Sequence, residues 1–202
     1  MDSSPLTWSE LSLLPGADVS YAPRALAADW FAKLRDEIPW EQHRLKIFGR
    51  EIDAPRMSCW VGDAEAAYTY SQTRFEPRAW TPALSELRAW LVSTTGNSFN
   101  SVLCNLYRGG SDSMGWHSDD EPELGTEPVI ASLSFGAARR FRLRHKRDAR
   151  WRLELDLEPG SLLLMRGGTQ RHYKHDLPKT ARAVGERINL TFRLILAEGA
   201  RK

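Results

Sequence analysis

His117-Ser118-Asp119 sets an imidazole and a carboxylate two residues apart. On a strand, residues i and i+2 project from one face, so the pair would converge on one point. A third donor from a distant segment would complete a face of two histidines and one carboxylate. Such a face leaves three octahedral positions open, as Fe(II) requires to take a bidentate cosubstrate and then O2. Catalytic zinc accepts the same donors, and the ligand set alone does not choose. The chain has five histidines, and QRHYKHDLP offers either His172 or His175 as the distal ligand.

RINLTFR follows, from Arg187 to Arg193. In a strand Arg187, Asn189, Thr191 and Arg193 share one face, with Ile188, Leu190 and Phe192 on the other. Polar groups turned into an apolar sheet are costly unless something satisfies them. The planar guanidinium fork pairs with carboxylates, so two arginines match a dicarboxylate. Asn105 and Tyr107 share a face in CNLY and could add donors. The alternative is a solvent-facing strand of alternating charge.

These residues need strands to hold them. From Ser101 onward SVLCNLY, PVIASLSFG, RFRLRH, WRLELDL, SLLLMR and INLTFRLIL are short, rich in β-formers and separated by Gly, Pro or charged turns. Phe141 and Leu143 alternate with Arg140, Arg142 and Arg144, and Leu153, Leu155 and Leu157 alternate with charged residues. Upstream, apolar residues at near-helical spacing predict helices over 25–38, stopped by Pro39, and over 82–95, opened by Pro82 and closed by Gly96. LKIFG, at 45–49, reads as a strand running into a glycine turn. The expected fold is mainly β (α+β): a jelly roll, or double-stranded β-helix, with N-terminal helices packed on one sheet. The expected organisation is one compact domain with an N-terminal extension and first helix (1–40), a nucleotide-recognition region (41–100) and a catalytic core (101–202).

At 202 residues and 23.0 kDa the chain suits a single core, and 42% apolar residues agree with a globular protein. Cys59 and Cys104 form no CxxC pair, which argues against a structural zinc site or disulfide framework and suggests a reducing compartment. No run approaches the ~20 apolar residues that span a bilayer, and MDSSPLTWSE lacks a secretory pattern. Net charge is only +2, but Arg139, Arg140, Arg142, Arg144, Lys146, Arg147, Arg150 and Arg152 face the single acid Asp148. That stretch predicts a phosphate-attracting field, or else a solvated hairpin of alternating charge.

Taken in order, NLY, HSDDE, ASLSFGAARRFRLRHK, HDLP and RINLTFR resemble the AlkB family of Fe(II)/2-oxoglutarate dioxygenases, most of all the homologues that repair alkylated duplex DNA. The likeness extends upstream through IFGREIDAPR and YTYS, covering about residues 40–197. It implies His117, Asp119 and His175 as iron ligands, with His175 preferred over His172 because it precedes the LP element. It implies Asn105, Tyr107, Arg187, Asn189, Thr191 and Arg193 as the 2-oxoglutarate site. Asp120 and Glu121 would read the exocyclic amino edge of a base. Tyr70, supported by Tyr68, would stack on a flipped base. Phe48 would wedge into the duplex, flanked by Gly49 and Arg50, and Arg56 would contact phosphate or the nucleic-acid strand. The implied activity is oxidative dealkylation of 1-methyladenine and 3-methylcytosine in DNA, duplex or single-stranded, with RNA or a protein side chain as the other substrate classes. Neither a membrane nor an obligate protein partner is expected, and the location is cytoplasmic or nuclear. A non-catalytic binder of damaged DNA and a cupin-like zinc protein are the remaining readings.

Overall fold

Two strands of alternating parity explain the layering. In Arg187–Arg193 every second side chain is aliphatic or aromatic, and in Ser101–Tyr107 the same alternation sets Val102, Cys104 and Leu106 on one face, yet both strands are buried almost throughout. They must therefore be covered on both faces, one face apolar and the other polar. In the computed structural model, which describes residues 6–11, 14–27, 29–47, 50–66, 68–70 and 73–196, they lie side by side in a large sheet. Residues 45–47, 50, 68–70 and 73–75 are described as backbone only.

The elements in chain order are β1 (Ser9–Glu10), β2 (Asp18–Ala22), α1 (Trp30–Glu37), β3 (Arg44–Ile47), β4 (Arg50–Asp53), β5 (Met57–Gly62), β6 (Tyr68–Tyr70), β7 (Thr73–Phe75) and α2 (Pro82–Thr95). They continue with β8 (Ser101–Tyr107), β9 (Met114–His117), β10 (Ile130–Gly136), β11 (Arg139–His145), β12 (Arg152–Leu157), β13 (Ser161–Arg166), α3 (Thr169–His172), β14 (Tyr173–Leu177) and β15 (Arg187–Arg193). Among the described residues a seven-stranded sheet runs β1-β2-β13-β10-β15-β8-β5, and a four-stranded sheet runs β12-β11-β14-β9. All the strand pairs within both sheets are antiparallel. This is the expected jelly roll.

The helices cover the outer face of the large sheet. Leu34 and Ile38, with Leu84, Leu87 and Leu91 of α2, pack on Cys104, Leu106, Leu133, Ile188, Leu190 and Phe192. A second apolar cluster, including Phe141, Leu143, Leu163, Met165 and Tyr173, fills the space between the two sheets.

Helix α2 keeps the sequence-predicted bounds because its ends are encoded locally. Thr81 Oγ1 accepts from Leu84 N, Pro82 opens the first turn, and Gly96 takes the left-handed conformation at φ 69°. The first helix is shorter than predicted: it begins at Trp30 rather than Ala25. Leu26 leaves the helical pattern because its N–H is bonded to Gly160 O of the large sheet. Ile38 is extended at φ −82°, ψ 126°, as a residue before proline favours. Several strands the composition did not announce, β2, β5, β9 and β14 among them, complete the sheets. Cys59 and Cys104 are in register on β5 and β8, both buried and both free. No described helix is long and apolar enough to cross a membrane.

Candidate metal and dicarboxylate site

The polar face of β15 points into the jelly roll. Arg187, Asn189, Thr191 and Arg193 are all at most 9% exposed and line one cavity with Leu103, Asn105, Tyr107, Met114, Phe141, Leu157, Leu177 and the His117/Asp119/His175 group. The solvent-facing alternative for this strand is thereby overturned. Asn105 pairs in register with Asn189, and Tyr107 with Arg187, so β8 brings its polar face to the same cavity.

His117 ends β9 and His175 lies directly opposite it on β14. Their ring centroids are 4.2 Å apart. Asp119 departs from expectation: it lies beyond the strand, in a loop held by Asp119 N–H to Gln170 Oε1 (3.0 Å) and Ser118 Oγ to Tyr173 O (2.8 Å). The convergence is real, but a pinned loop makes it. His172 is not part of the cluster; its ring stacks with His145 and stands beside Gly16.

His117 Nε2 and His175 Nε2 each lie 3.9 Å from an Asp119 carboxylate oxygen, and all three ligand atoms fall within 4.8 Å of one another. Nitrogen and carboxylate donors sit about 2.0–2.2 Å from a first-row divalent ion, so these three atoms can close on one ion with small adjustment. His117 Nδ1 lies 2.8 Å from Gly115 O, which fixes the tautomer that leaves Nε2 free to ligate. Burial, helped by His117 and Arg193 against the opposing pull of Asp119, pushes the His175 pKa down to about 3. It is a neutral ligand at physiological pH. Burial would raise the Asp119 carboxyl, but Arg193, His175 and His117 together outweigh it and hold the group below its ordinary range. Two imidazoles and an ionised carboxylate, facing an open cavity, fit Fe(II).

The two arginines of RINLTFR are not equivalent. Arg193 Nη2 donates to Asp119 Oδ1 at 2.7 Å. Arg187 Nη2 donates to Ser134 Oγ at 2.9 Å, while its Nε and Nη1 are buried with no acceptor among the described residues. Burial pushes the Arg187 pKa down to about 10, with Tyr107 opposing and nearby Arg139 adding to the fall. It stays charged at neutral pH, and a buried guanidinium with two open donors calls for an anion. Asn189 Nδ2 is already engaged with Ser132 Oγ and Leu133 O, and its Oδ1 accepts from Thr191 Oγ1. These two residues shape the cavity more than they offer donors.

Arg56, expected as a phosphate or strand contact, donates from Nε to Asn105 Oδ1 at 2.8 Å. A guanidinium can only donate, so it turns the amide oxygen toward itself and leaves Asn105 Nδ2 for the cavity. Asp120 accepts from Lys146 Nζ at 2.9 Å, and Glu121 precedes the short turn Pro122–Leu124. Phe48 and Gly49 lie outside the described residues, and Arg50, Tyr68 and Tyr70 are placed only as backbone of β4 and β6.

The basic stretch is not the uniform field its composition suggested. Arg139 is 3% exposed. Arg140 pairs with Asp156 and Glu154, Arg142 with Asp176, Lys146 with Asp120 and Arg150 with Asp148. What remains is a row across three strands: Arg152 and Lys174 stand opposite Arg144 on either side, without carboxylate partners among the described residues. Sequence reading missed Trp116, over whose ring Arg144 lies at 4.1 Å and Arg142 at 5.0 Å. It also missed the role of Gln170 in seating Asp119. Their partners, Arg142 and Arg144 on β11 and Asp119 in its loop, are distant in the chain, so no local signal marks them.

Residues 17–193 match the 2OG-Fe(II) oxygenase superfamily. The chain is 41% identical over 203 residues to human "Alpha-ketoglutarate-dependent dioxygenase alkB homolog 3", covering 95% of this chain and 68% of that protein. It is 39% identical over 195 residues to human "DNA oxidative demethylase ALKBH2", covering 90% of this chain and 74% of that protein. It thus spans between about two thirds and three quarters of these relatives. The solved structure of OsALKBH1 shares the fold with a TM-score of 0.58 at 18% identity, covering 92% of this chain and 100% of that one. A jelly roll with two histidines and an aspartate converging beside a buried arginine, together with these matches, shows that the chain belongs to the AlkB homologues of the 2OG-Fe(II) oxygenase superfamily and is an Fe(II)- and 2-oxoglutarate-dependent dioxygenase.

Proposed function

We propose that this dioxygenase removes small N-alkyl groups from bases in DNA, with 1-methyladenine and 3-methylcytosine as substrates. The observation that carries the reading is the single cavity in which His117, Asp119 and His175 converge while Arg187 holds two buried donors open. The substrate class comes from the relatives named as DNA oxidative demethylases. The unpaired row Arg152, Arg144 and Lys174 supports a nucleic-acid partner through phosphate attraction.

His117, Asp119 and His175 would hold the iron. Iron bound there would supply, with 2-oxoglutarate and O2, the oxidation needed to hydroxylate the N-alkyl carbon, with succinate and CO2 as coproducts. The hydroxylated group then leaves as an aldehyde, formaldehyde from methyl, and the base is restored. Arg193 keeps the Asp119 carboxylate ionised and oriented. Arg187 binds the distal carboxylate of 2-oxoglutarate, and Asn105 Nδ2 and the Tyr107 hydroxyl add donors, with Asn189 and Thr191 shaping the wall between. Leu103, Met114, Phe141, Leu157 and Leu177 exclude water from the reacting centre.

On the substrate side, Asp120 and Glu121 accept from the exocyclic amino group and favour a cationic lesion. By the family resemblance, Tyr70 and Tyr68 would supply the aromatic wall for the flipped base, and Phe48, with Gly49 and Arg50, the finger that fills the gap left in the duplex. A base whose pairing is already weakened by methylation is cheaper to extrude. The enzyme works where nucleic acid is, in the nucleus or cytoplasm.

The test is a matched set of oligonucleotides carrying one 1-methyladenine in duplex DNA, single-stranded DNA and RNA, digested and analysed by mass spectrometry after turnover. Demethylation of the DNA forms supports the reading. Demethylation of RNA alone transfers the activity to RNA. Consumption of 2-oxoglutarate with all three substrates untouched contradicts a nucleic-acid substrate of this kind.

A further inference from the structure

We propose that Arg139 is a positioning residue that closes the far end of the 2-oxoglutarate cavity and sets the length of the dicarboxylate it accepts. The inference rests on the placement of the distal carboxylate at Arg187 given above.

Arg139 opens β11, which pairs with β14 farther along the strand, and is 3% exposed despite its charge. Among the described residues no carboxylate accepts a hydrogen bond from it. Its Nη1 donates to Gly109 O at 2.9 Å, and its Nη2 to Asp112 O at 2.9 Å and Pro178 O at 2.8 Å. Those carbonyls belong to two loops: one follows β8, which carries Asn105 and Tyr107, and the other follows β14, which carries His175. The loops are also joined directly, Thr180 N–H to Gly110 O at 2.9 Å, and packed so tightly that a Cβ on Gly110 would lie 2.4 Å from Thr180 O. Arg139 therefore bolts the end of the cosubstrate strand to the end of a metal-ligand strand.

Its guanidinium also lies over the Tyr107 ring, 5.9 Å from the centroid, and the Arg187 guanidinium lies over the same ring at 5.3 Å. Cation–ring contacts between desolvated groups hold an aromatic side chain in one place. Tyr107, Leu157 and Leu177 line the dicarboxylate cavity. Their chain neighbours Asp156 and Pro178, with Arg139 itself, line a separate open cavity of about 470 Å³. The Tyr107 ring backed by Arg139 is thus a wall between the two spaces. With the wall in place the cavity ends at Arg187. Without the backing, Tyr107 can withdraw, and a 2-oxo dicarboxylate one methylene longer fits.

The test compares Arg139→Ala, Arg139→Met and Arg139→Lys with the parent. Binding of 2-oxoglutarate and of 2-oxoadipate is read as thermal stabilisation of the Mn(II)-loaded, non-turning-over protein. Turnover of the Fe(II) enzyme then gives KM and kcat for both acids. Arg139→Ala should weaken 2-oxoglutarate binding about tenfold and move preference toward 2-oxoadipate about tenfold, with the KM for methylated DNA unchanged. Arg139→Met, which fills the space without donors, should lose affinity without gaining the longer acid. Lysine should recover part of the loss by reaching one or two of the carbonyls. Parent-like binding and parent-like chain-length preference in the Met and Lys variants, with only melting temperature lowered, overturns the proposal; these two decide it if alanine does not fold. An Arg187→Met control separates the two claims: if it leaves 2-oxoglutarate binding intact, the placement of the carboxylate is wrong rather than the role of Arg139.

Discussion

Arg187 and Arg193 stand six residues apart on one strand face, and their partners divide the work between them. Arg193 is bonded to Asp119, whereas Arg187 keeps two buried donors open. Arg187→Met should raise the KM for 2-oxoglutarate about a hundredfold, the scale of a lost charge-assisted bidentate contact, while Fe(II) affinity measured without cosubstrate stays at the parental value. Arg193→Met should do the reverse first, weakening metal loading because Asp119 loses the neighbour that holds its carboxylate ionised. Identical phenotypes in the two variants, measured by metal titration and cosubstrate kinetics, would contradict this division. The polar face of β15 was legible in the sequence because period-2 spacing places side chains without reference to the rest of the chain. In the ligand triad, by contrast, Asp119 is seated by a loop rather than by strand spacing, and only the family resemblance separated His175 from His172. The partners were not legible. Nothing near Arg56 announces that it will meet Asn105, 49 positions away, and nothing in RINLTFR says which arginine Asp119 will take.

Among the elements, those whose limits are written in adjacent residues were legible and the others were not. Thr81, Pro82 and Gly96 delimit α2; β8 and β13 carry their expected bounds because turn residues or charge end them. Strands β5 and β14 gave no alternation to read: MSCWVG is buried on both faces after its first residue, and YKHDL turns His175 inward to the site. Thr81→Ala should cost about 1 kcal/mol through the lost cap to Leu84 N–H, which appears as a melting-temperature drop of about 2–4 °C. The turn from β10 to β11 is stricter. Gly136 sits at φ 81°, where a Cβ would lie 2.4 Å from Glu186 O. Gly136→Ala should therefore destabilise well beyond Thr81→Ala in the same denaturation experiment, since Ala137 N–H is bonded to that same carbonyl. Equal losses would mean the turn relaxes freely.

For the whole molecule, charge partition and acid sensitivity are the properties that burial decides. Composition pointed to a continuous basic stretch at 139–152, but strand neighbours such as Asp156, Asp176 and Asp120 neutralise much of it, and only pairing across the sheet reveals which cations stay open. Reversing the row with Arg144→Glu and Lys174→Glu should weaken DNA binding and flatten its dependence on salt; an unchanged salt slope would remove this face from the interface. The metal-free fold should also lose stability in mild acid. Below its ordinary value of 6.5 an unfolded histidine takes up a proton that folded His175, with its pKa near 3, does not. The unfolded state then binds more protons and stability falls with pH. The depressed Asp119 acts in the same direction at lower pH, since its contribution is lost as the carboxylate protonates. Melting of the metal-free protein from about pH 7 to about pH 5 should show this decline, with a shallower slope in His175→Asn.

The central claim is that one cavity couples 2-oxoglutarate oxidation to loss of a methyl group from DNA. Its most direct measurement is a closed-vial turnover of the Fe(II)-loaded enzyme on duplex DNA carrying a single 1-methyladenine, counting formaldehyde, succinate and restored adenine together. Equal amounts of all three in the parent, and none in Asp119→Ala or His175→Ala, is the predicted result. Succinate without formaldehyde or restored adenine in the parent, or a full yield of restored adenine from either ligand variant, would contradict it.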